Sequence, residues 1–577
     1  MLYEIINKDA DFTKPLETIF NNRGIPFETM EMLLHPTQEV EHDFRLLPNI
    51  IECAERIIEA IKNEEKIFLQ VDSDADGYTS AALAWMMLVH FGAKEENIIY
   101  RMHEGKQHGI IVETVPEECT LVIIPDASSN DFEEHRELNE QGKTIIVMDH
   151  HEADHLSEHA IVVNNQFGYP NKSLSGVGIV YKVFQALEAI VPKVEEDYRY
   201  NVGMIAPHFL DLVAVGIIAD VSDVSNLETM YYVQEGMANI HNPFLRTIIA
   251  GNQYKLSGDI SPMKISFYIA PLINAMVRTG SQEQKEAMFL AMIKGDEIEQ
   301  EDEGFGNTVS YADKALKICA AVKRKQDVLK NEGMVKLHLK ITKNGMDKNK
   351  IIIGKAFRVA DTLKGLIAMQ LASAFKKPTL VLSKNKETNL WSGSGRGINQ
   401  SDFKNFKDYL NSTNLFEYAE GHQGAFGAAI KDENLEKFIE QSNKDLEKYS
   451  FSNNYKIDLE YTSNQINADV IAQIASFSNH YSKGFEEPYI LIKNIRVTER
   501  SLTIMGKNPD KPSIKIKVED VNFIIFTTTK EKVEELKQMK YINVIGRANE
   551  NIWNDDISYQ IMITDYEKAI VKARDLF

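Results

Sequence analysis

Lys66-Ile-Phe-Leu-Gln-Val-Asp-Ser-Asp-Ala-Asp-Gly77 opens as an apolar run and closes on alternate aspartates before a glycine. A short apolar run with acids only at its end predicts a strand buried on both faces, carrying the acids at its carboxyl end. Ser80 to Phe91 follows as an apolar helix. The pattern then recurs. Leu121-Val-Ile-Ile-Pro-Asp126 is a second such strand, followed by a charged helix, and Thr144-Ile-Ile-Val-Met-Asp149 is a third that runs into His150 and His151. Ile161-Val-Val-Asn164 is a fourth, and helices are predicted at about 176–190 and 209–219. Strands alternating with helices predict right-handed crossovers and a mainly parallel sheet, hence an α/β fold.

The position of the acids is informative. Asp72, Asp74, Asp76, Asp126 and Asp149 with its two histidines all sit at strand ends, and Asp220 ends the apolar segment Asp211–Ala219. In an open parallel sheet, ligands bind beyond the carboxyl ends of the strands. Carboxylates converging there would repel one another and take up protons. Divalent cations remove that conflict, and oxygen donors with a few imidazoles suit manganese or magnesium. A lone aspartate before glycine is more often a turn residue or helix cap; the whole set at strand ends is not explained that way. An EF-hand reading of Asp72–Gly77 fails, because the twelfth position, which requires glutamate, is Leu83.

The 577 residues are long enough for several domains, and 44% hydrophobic residues suffice for ordinary cores. No window approaches a membrane span and no signal peptide opens the chain, so a cytoplasmic location with no membrane association is expected. Cys53, Cys119 and Cys319 lack any paired spacing, which predicts buried thiols rather than disulfides or zinc. The net charge of −21 argues against a general nucleic-acid coat. A run of lysines from Lys314 to Lys355 breaks that average, opposed only by Asp327, Glu332 and Asp347. It reads either as a solvated helix face or as a surface that tracks phosphates.

Residues 1–50 read as a lead-in of short helices and loops, and 51–282 as the acid-bearing domain. Residues 283–330 read as a helical connector, with an acidic run from Asp296 to Glu303 and a break at Gly304-Phe-Gly306. A second α/β domain over 331–450 is expected to hold strands near 335–342, 351–354 and 379–383 and a helix near 362–376. It also holds the glycine-rich pieces Gly393-Ser-Gly-Arg-Gly397 and Gly421-His-Gln-Gly-Ala-Phe-Gly427; glycines at 393, 395 and 397 would let backbone amides approach a phosphate closely, with an ordinary tight turn as the alternative. Residues 451–577 alternate in short runs such as Pro488–Lys493, Ser513–Val518 and Tyr541–Gly546, predicting a small β-barrel.

Asp72-Ser-Asp-Ala-Asp-Gly-Tyr-Thr-Ser80, Asp126, Asp149-His-His151 and Asp220 match, in order, the motifs of the DHH phosphoesterase family. Further segments resemble its RecJ type: Leu174–Lys182, Ala270–Ala275 with Arg278, Gly393–Arg396, Gly421-His422, and an OB-fold ending over Tyr541–Tyr559 with Gly546, Asn551 and Trp553. The resemblance covers nearly the whole chain from about residue 20. Glu420 and Gly397 depart from the family pattern, which touches the grip on the strand and leaves the metal-binding motifs intact.

The resemblance implies a DHH catalytic domain, a DHH-associated substrate-binding domain and an OB-fold. It implies two Mn2+ or Mg2+ ions, with Asp126 bridging, Asp72 and Asp74 on one ion, and Asp76, His150 and Asp220 on the other. His151 would touch the scissile phosphate, and Asp149 would orient the histidines. Ser394, Arg396 and His422, with Asn274 and Arg278, would bind substrate. The implied activity is a single-strand-specific 5′→3′ DNA exonuclease in repair, recombination or replication. A monomer is expected, with single-stranded DNA as substrate and a single-strand-binding protein or helicase as partner by analogy. Two alternatives stand beside it. One is a DHH phosphodiesterase for short oligonucleotides or cyclic dinucleotides, whose relatives generally lack an OB-fold. The other is a non-catalytic nucleic-acid-binding scaffold, which would be expected to have lost metal-binding positions.

Overall fold

A computed structural model describes residues 1–105, 107–191, 205–256, 258–300, 308–357, 359–385, 388–398, 403–449, 451, 454–506, 508, 510–553 and 556–570. The chain divides into two compact units. One comprises Glu28–Gln326 and Asn479–Glu486; the other comprises Met1–Phe27, Asp327–Ser478 and Glu487–Phe577.

The first unit is built on a five-stranded sheet in the order Ile98–Met102, Ile67–Val71, Leu121–Pro125, Thr144–Asp149, Ile161–Asn164, with every neighbouring pair parallel. Ile67–Val71 and Leu121–Pro125 are buried at every position, which is why they read as unbroken apolar runs. Alternate side chains Phe68, Val122, Ile124, Ile145 and Val147 join Leu138 of the helix Phe132–Glu140 in one core layer. Helices Ala75–His90, Gly176–Ile190 and Leu210–Ala219 pack among themselves as a second group. The strand Ile98–Met102 was not anticipated. It is an edge strand whose Tyr100 and Arg101 are only half-buried, so it lacks the apolar run that marked the others.

The stretch expected to be a connector contributes to this unit. Helix Gln282–Lys294 buries Met288, Phe289, Ala291 and Met292, and a short antiparallel pair, Ile298–Gln300 with Thr308–Ser310, follows it. Gly304-Phe-Gly306 lies outside the described residues. Among the described residues no helix is long and apolar enough to cross a membrane. All three cysteines are buried and free.

The second unit contains two sheets. The five-stranded one runs Phe416–His422, Ala425–Lys431, Leu390–Arg396, Thr379–Lys384, Ile352–Lys355; only the last pair is parallel. Helix Asp361–Phe375 covers one face, through Leu363, Ile367 and Leu371. The segment 335–342, expected as a strand, is the end of the helix Tyr311–Lys343. Val335, Leu337, Leu339 and Ile341 alternate, which mimics a strand. Leu337 and Ile341 are buried, whereas Val335 and Leu339 are 53% and 63% exposed, the i, i+4 burial of a helix. Gly393–Arg396 forms no tight turn either, but lies inside the strand Leu390–Arg396. A side chain on Gly393 would collide with the Val381 carbonyl of the neighbouring strand.

The other sheet has eight strands in the order Leu2–Ile5, Asn454–Thr462, Tyr489–Arg496, Tyr541–Trp553, Asp556–Lys568, Val521–Ile525, Ser513–Val518, Leu502–Met505. The chain start thus supplies an edge strand, parallel to Asn454–Thr462, where short helices and loops were expected.

Candidate metal centre

In the first unit the sheet order places Ile67–Val71 between Ile98–Met102 and Leu121–Pro125. Connections leave Ile67–Val71 toward one side and return to the other, so the crevice at its carboxyl end is a topological switch point. Asp72 follows one of these strands and Asp126 the other. Asp149 ends the next strand, and His150 and His151 follow.

Each acid is fixed by backbone. Asp74 caps the helix Ala75–His90, accepting from Gly77 N at 3.0 Å. The helix begins earlier than expected, so Asp76 sits in its first turn. Asp76 accepts from Gly176 N at 2.8 Å, Val177 N at 3.2 Å and Ser175 Oγ at 3.2 Å, the amino end of the helix Gly176–Ile190. Asp220 caps the carboxyl end of Leu210–Ala219. Gly176 and Gly216 lie so close to Asp126 and Asp76 that a Cβ on either would overlap a carboxylate oxygen. Asp126 (φ 63°) and Val221 (φ 61°) adopt the left-handed region. Such strain costs on the order of 1–3 kcal/mol and gathers at functional sites.

His150 is the hub. Its Nε2 lies 3.2 Å from Asp126 Oδ1 and 4.0 Å from Asp76 Oδ2, and its Nδ1 lies 4.0 Å from Asp220 Oδ2. Two sets of donor atoms lie within 4.8 Å of one another: Asp126, Asp149, His150 and His151, and Asp76, His150 and Asp220. Asp149 is committed to protein groups, accepting from His150 N at 2.7 Å and Ser129 N at 3.0 Å, with His151 Nδ1 at 2.8 Å.

The electrostatics separate these carboxylates. Burial, with Asp220 and Asp74 adding repulsion, pushes Asp76 up to about 8. Burial also raises Asp126 well above the usual carboxylate range, and Asp76, Asp74, Asp72 and Asp149 add to it. Asp74 is raised by burial and by Asp72 and Asp220. Burial opposes ionisation of Asp149 too, but its hydrogen bond and charge pairing with His151 hold it well below the ordinary range. Burial likewise disfavours a charged His151, yet Asp149 outweighs it and lifts the imidazole to about 9.

Asp72 and Asp74 fall in neither donor set. Asp72 meets His108 Nδ1 at 2.9 Å and His103 Nε2 at 3.4 Å. Those hydrogen bonds outweigh its burial and hold it at about 2. The sequence reading missed both histidines. The signal that would have found them is register: Val71 pairs with Met102, so Asp72 and His103 leave the sheet side by side.

Asn274 and Arg278 lie one turn apart on the helix Ala270–Thr279; Arg278 is exposed and its charge acts on Asp74, while Asn274 Oδ1 is buried. Ser394 and Arg396 belong to the second unit. They share one face of the strand Leu390–Arg396, near Gly365 of the covering helix, where a Cβ would lie 2.6 Å from an Arg396 guanidinium nitrogen. His422 ends the strand Phe416–His422; its side chain lies outside the described residues.

The residues present suit divalent cations. The donors are carboxylates with two imidazoles, His150 and His151, and no thiolate, and Asp126 Oδ1 is buried without a hydrogen-bond partner among the described residues. An orphaned buried anion is costly unless something compensates it.

Known proteins share this architecture. Residues 66–217 match the profile described as DHH family, N-terminal domain, and residues 457–565 match that described as RecJ OB domain. A protein of Bacillus subtilis (strain 168) derived from the SPbeta prophage, YorK, provisionally named a single-strand DNA-specific exonuclease, is 35% identical over 590 residues, covering 100% of both chains. The single-stranded-DNA-specific exonuclease RecJ of the same strain is 24% identical over 607 residues, covering 100% of this chain and 72% of its own. The fold is similar to that of RecJ from Thermus thermophilus, crystallised in complex with Mn2+. The TM-score is 0.73 at 19% identity, over 99% of this chain and 79% of the other.

Proposed function

The chain belongs to the DHH family, in its RecJ type, and from that premise we propose that it is a metal-dependent, single-strand-specific DNA exonuclease that degrades from the 5′ end. One observation carries the reading: Asp76, Asp126, His150 and Asp220 converge at the switch point of a parallel sheet around an unpaired buried carboxylate oxygen.

Asp76, Asp126, His150 and Asp220 would hold Mn2+ or Mg2+, with His150 common to the two donor sets and Asp72 and Asp74 beside them. Bound there, divalent ions supply Lewis-acid stabilisation of phosphoryl oxygens and acidify water. The protein's own groups do the rest. Asp149 fixes the ring of His151 through Nδ1, leaving Nε2 to meet the scissile phosphate. Asp149, by hydrogen bond and charge, also favours the protonated ring of His151, which suits an anionic phosphodiester. Asn274 and Arg278 would contact the strand from the same unit; Ser394, Arg396 and His422 would contact it from the second. The OB domain would hold the trailing strand by stacking and phosphate contacts. The setting is DNA repair, recombination or replication, with a single-strand-binding protein or helicase as partner.

The test is digestion of a 3′-labelled single strand beside its duplex, with Mn2+, with EDTA and with Asp126→Ala protein. The reading expects Mn2+-dependent loss of the single strand alone, from its 5′ end, abolished by the substitution. A long strand left whole by metal-loaded protein overturns it and directs attention to short oligonucleotides and cyclic dinucleotides.

A further inference from the structure

The basic run between Lys314 and Lys355 contains a feature the metal centre does not use. It lies wholly in the second unit, at the carboxyl end of the parallel strand Ile352–Lys355. Phe357, two residues past that strand, is 68% exposed, a large apolar ring left in solvent. Lys340 Nζ stands 4.4 Å from its ring centroid. The Trp391 ring meets Phe357 edge-on at 6.3 Å between centroids, and Lys355 Nζ stands 5.5 Å from the Trp391 centroid. Lys340 has no carboxylate partner among the described residues, whereas Lys355 is 3.8 Å from Glu436.

The same two lysines line a groove of about 350 Å³ floored by the buried Leu337, Ile341 and Ile353 and lined also by Asn344 and Glu436. That volume falls within the range of about 300–1,000 Å³ typical of small-molecule sites. An apolar floor, an exposed ring and two cations are the elements that hold single strands: aromatic faces for bases, ammonium groups for phosphates. A solvated lysine face explains the cations; the exposed phenyl ring under Lys340, edge-on to the Trp391 that carries Lys355, adds an aromatic face beside them.

We propose that Phe357, Lys340 and Lys355 form a stacking subsite for one nucleotide of the single-stranded DNA substrate, separate from the metal centre. The base stacks on Phe357, while the adjoining phosphates meet Lys340 and Lys355 at the groove they line. The inference rests on the exonuclease reading, since it takes the occupant to be the same strand.

The experiment uses the full chain in EDTA, so that binding is measured without hydrolysis. Fluorescent oligo(dT) is titrated into wild type, Phe357→Ala, Phe357→Trp and Lys340→Gln. Loss of one stacked base weakens Phe357→Ala on the order of tenfold, and Phe357→Trp restores binding. Lys340→Gln weakens binding and flattens the log–log salt dependence by about 0.7, the value of one single-strand phosphate contact. Photocrosslinking of 4-thiothymidine DNA to the peptide bearing Phe357, lost in Phe357→Ala, is the second readout. Thermal melting checks that the variants fold, as expected for an exposed side chain. If wild type digests single strands while the variants bind oligo(dT) as tightly as it does, the subsite is overturned and the exonuclease reading stands. If wild type neither binds nor digests single strands, both fall. Saturation by free dTMP at the affinity of oligo(dT) would mark a mononucleotide site and overturn the strand assignment.

Discussion

Nε2 of His150 lies 3.2 Å from Oδ1 of Asp126, yet the two are not aligned as a hydrogen bond, and that oxygen stays unpartnered among the described residues. Burial and four neighbouring carboxylates all work against its charge. The site is therefore strained for stability and suited to cations. Asp126→Asn replaces a carboxyl that burial and its neighbours force toward the protonated form with an amide that is neutral without cost, so it should melt above wild type in EDTA, by about 1 kcal/mol. Wild type in excess Mn2+ should gain about 2.7 kcal/mol at a hundredfold over Kd, and the variant should gain almost nothing. Thermal melts of both proteins with and without Mn2+ check this. A variant that melts lower than wild type in EDTA would mean that Asp126 is held by contacts rather than crowded by charges.

Lys182 and Glu228 form an ion pair at 2.8 Å, both fully buried. Glu228 also accepts from Tyr169 Oη at 2.8 Å, His42 N at 2.9 Å and Asn171 Nδ2 at 3.0 Å. Lys182 lies on the helix whose first amides hold Asp76. Lys182→Met leaves an unpaired buried anion and should cost about 3–5 kcal/mol. Adding Glu228→Gln should recover a large part of that, because the amide carries no charge. Urea denaturation of the single and double variants measures the difference.

His135 is fully buried, and neither ring nitrogen has a hydrogen-bond partner among the described residues. Burial, only partly offset by Asp131, pulls its pKa from 6.5 down to about 4. A group that binds its proton more readily unfolded than folded makes stability rise with pH between those two values. Its contribution is complete above about 6.5 and lost as pH falls through about 4, on the order of 3 kcal/mol in all. His135→Leu should flatten this arm of the stability profile. Chemical denaturation at pH 7, 5.5 and 4.5 would show it, and an unchanged slope would assign acid sensitivity to other groups.

The convergence of acids at the candidate metal centre was legible because its strands are buried on both faces. Ile67–Val71, Leu121–Pro125 and Thr144–Asp149 show as apolar runs, and each acid stands where the run stops. Ile98–Met102 sits at the sheet edge, so Tyr100 and Arg101 interrupt its run and the histidines that follow it were not found. Leu2–Ile5 pairs with Asn454–Thr462, at the far end of the chain, and no local pattern reveals such a partner. The glycines Gly393 and Gly395 suggested a close approach of backbone to a phosphate, or else a turn, because sequence shows the missing side chain but not what stands beside it. Their reason is the close approach of Val381 and Phe426 to a strand.

The segment Val335–Thr342 shows where periodicity alone fails, and it can be tested directly. As a strand, Val335, Leu337, Leu339 and Ile341 would share one face and one environment. In the helix Tyr311–Lys343 they divide: Leu337 and Ile341 pack with Ile352, Ile367 and Val381, while Val335 and Leu339 face water. Truncating a well-packed leucine costs about 2–5 kcal/mol, and an exposed one usually within about 0.5 kcal/mol. Leu337→Ala should therefore lower stability by at least about 2 kcal/mol, whereas Leu339→Ala should be close to neutral, and alanine's helix propensity would assist it. Denaturation midpoints of the two variants distinguish the cases. Equal losses would restore the strand reading, and would displace Lys340 from the groove it shares with Lys355.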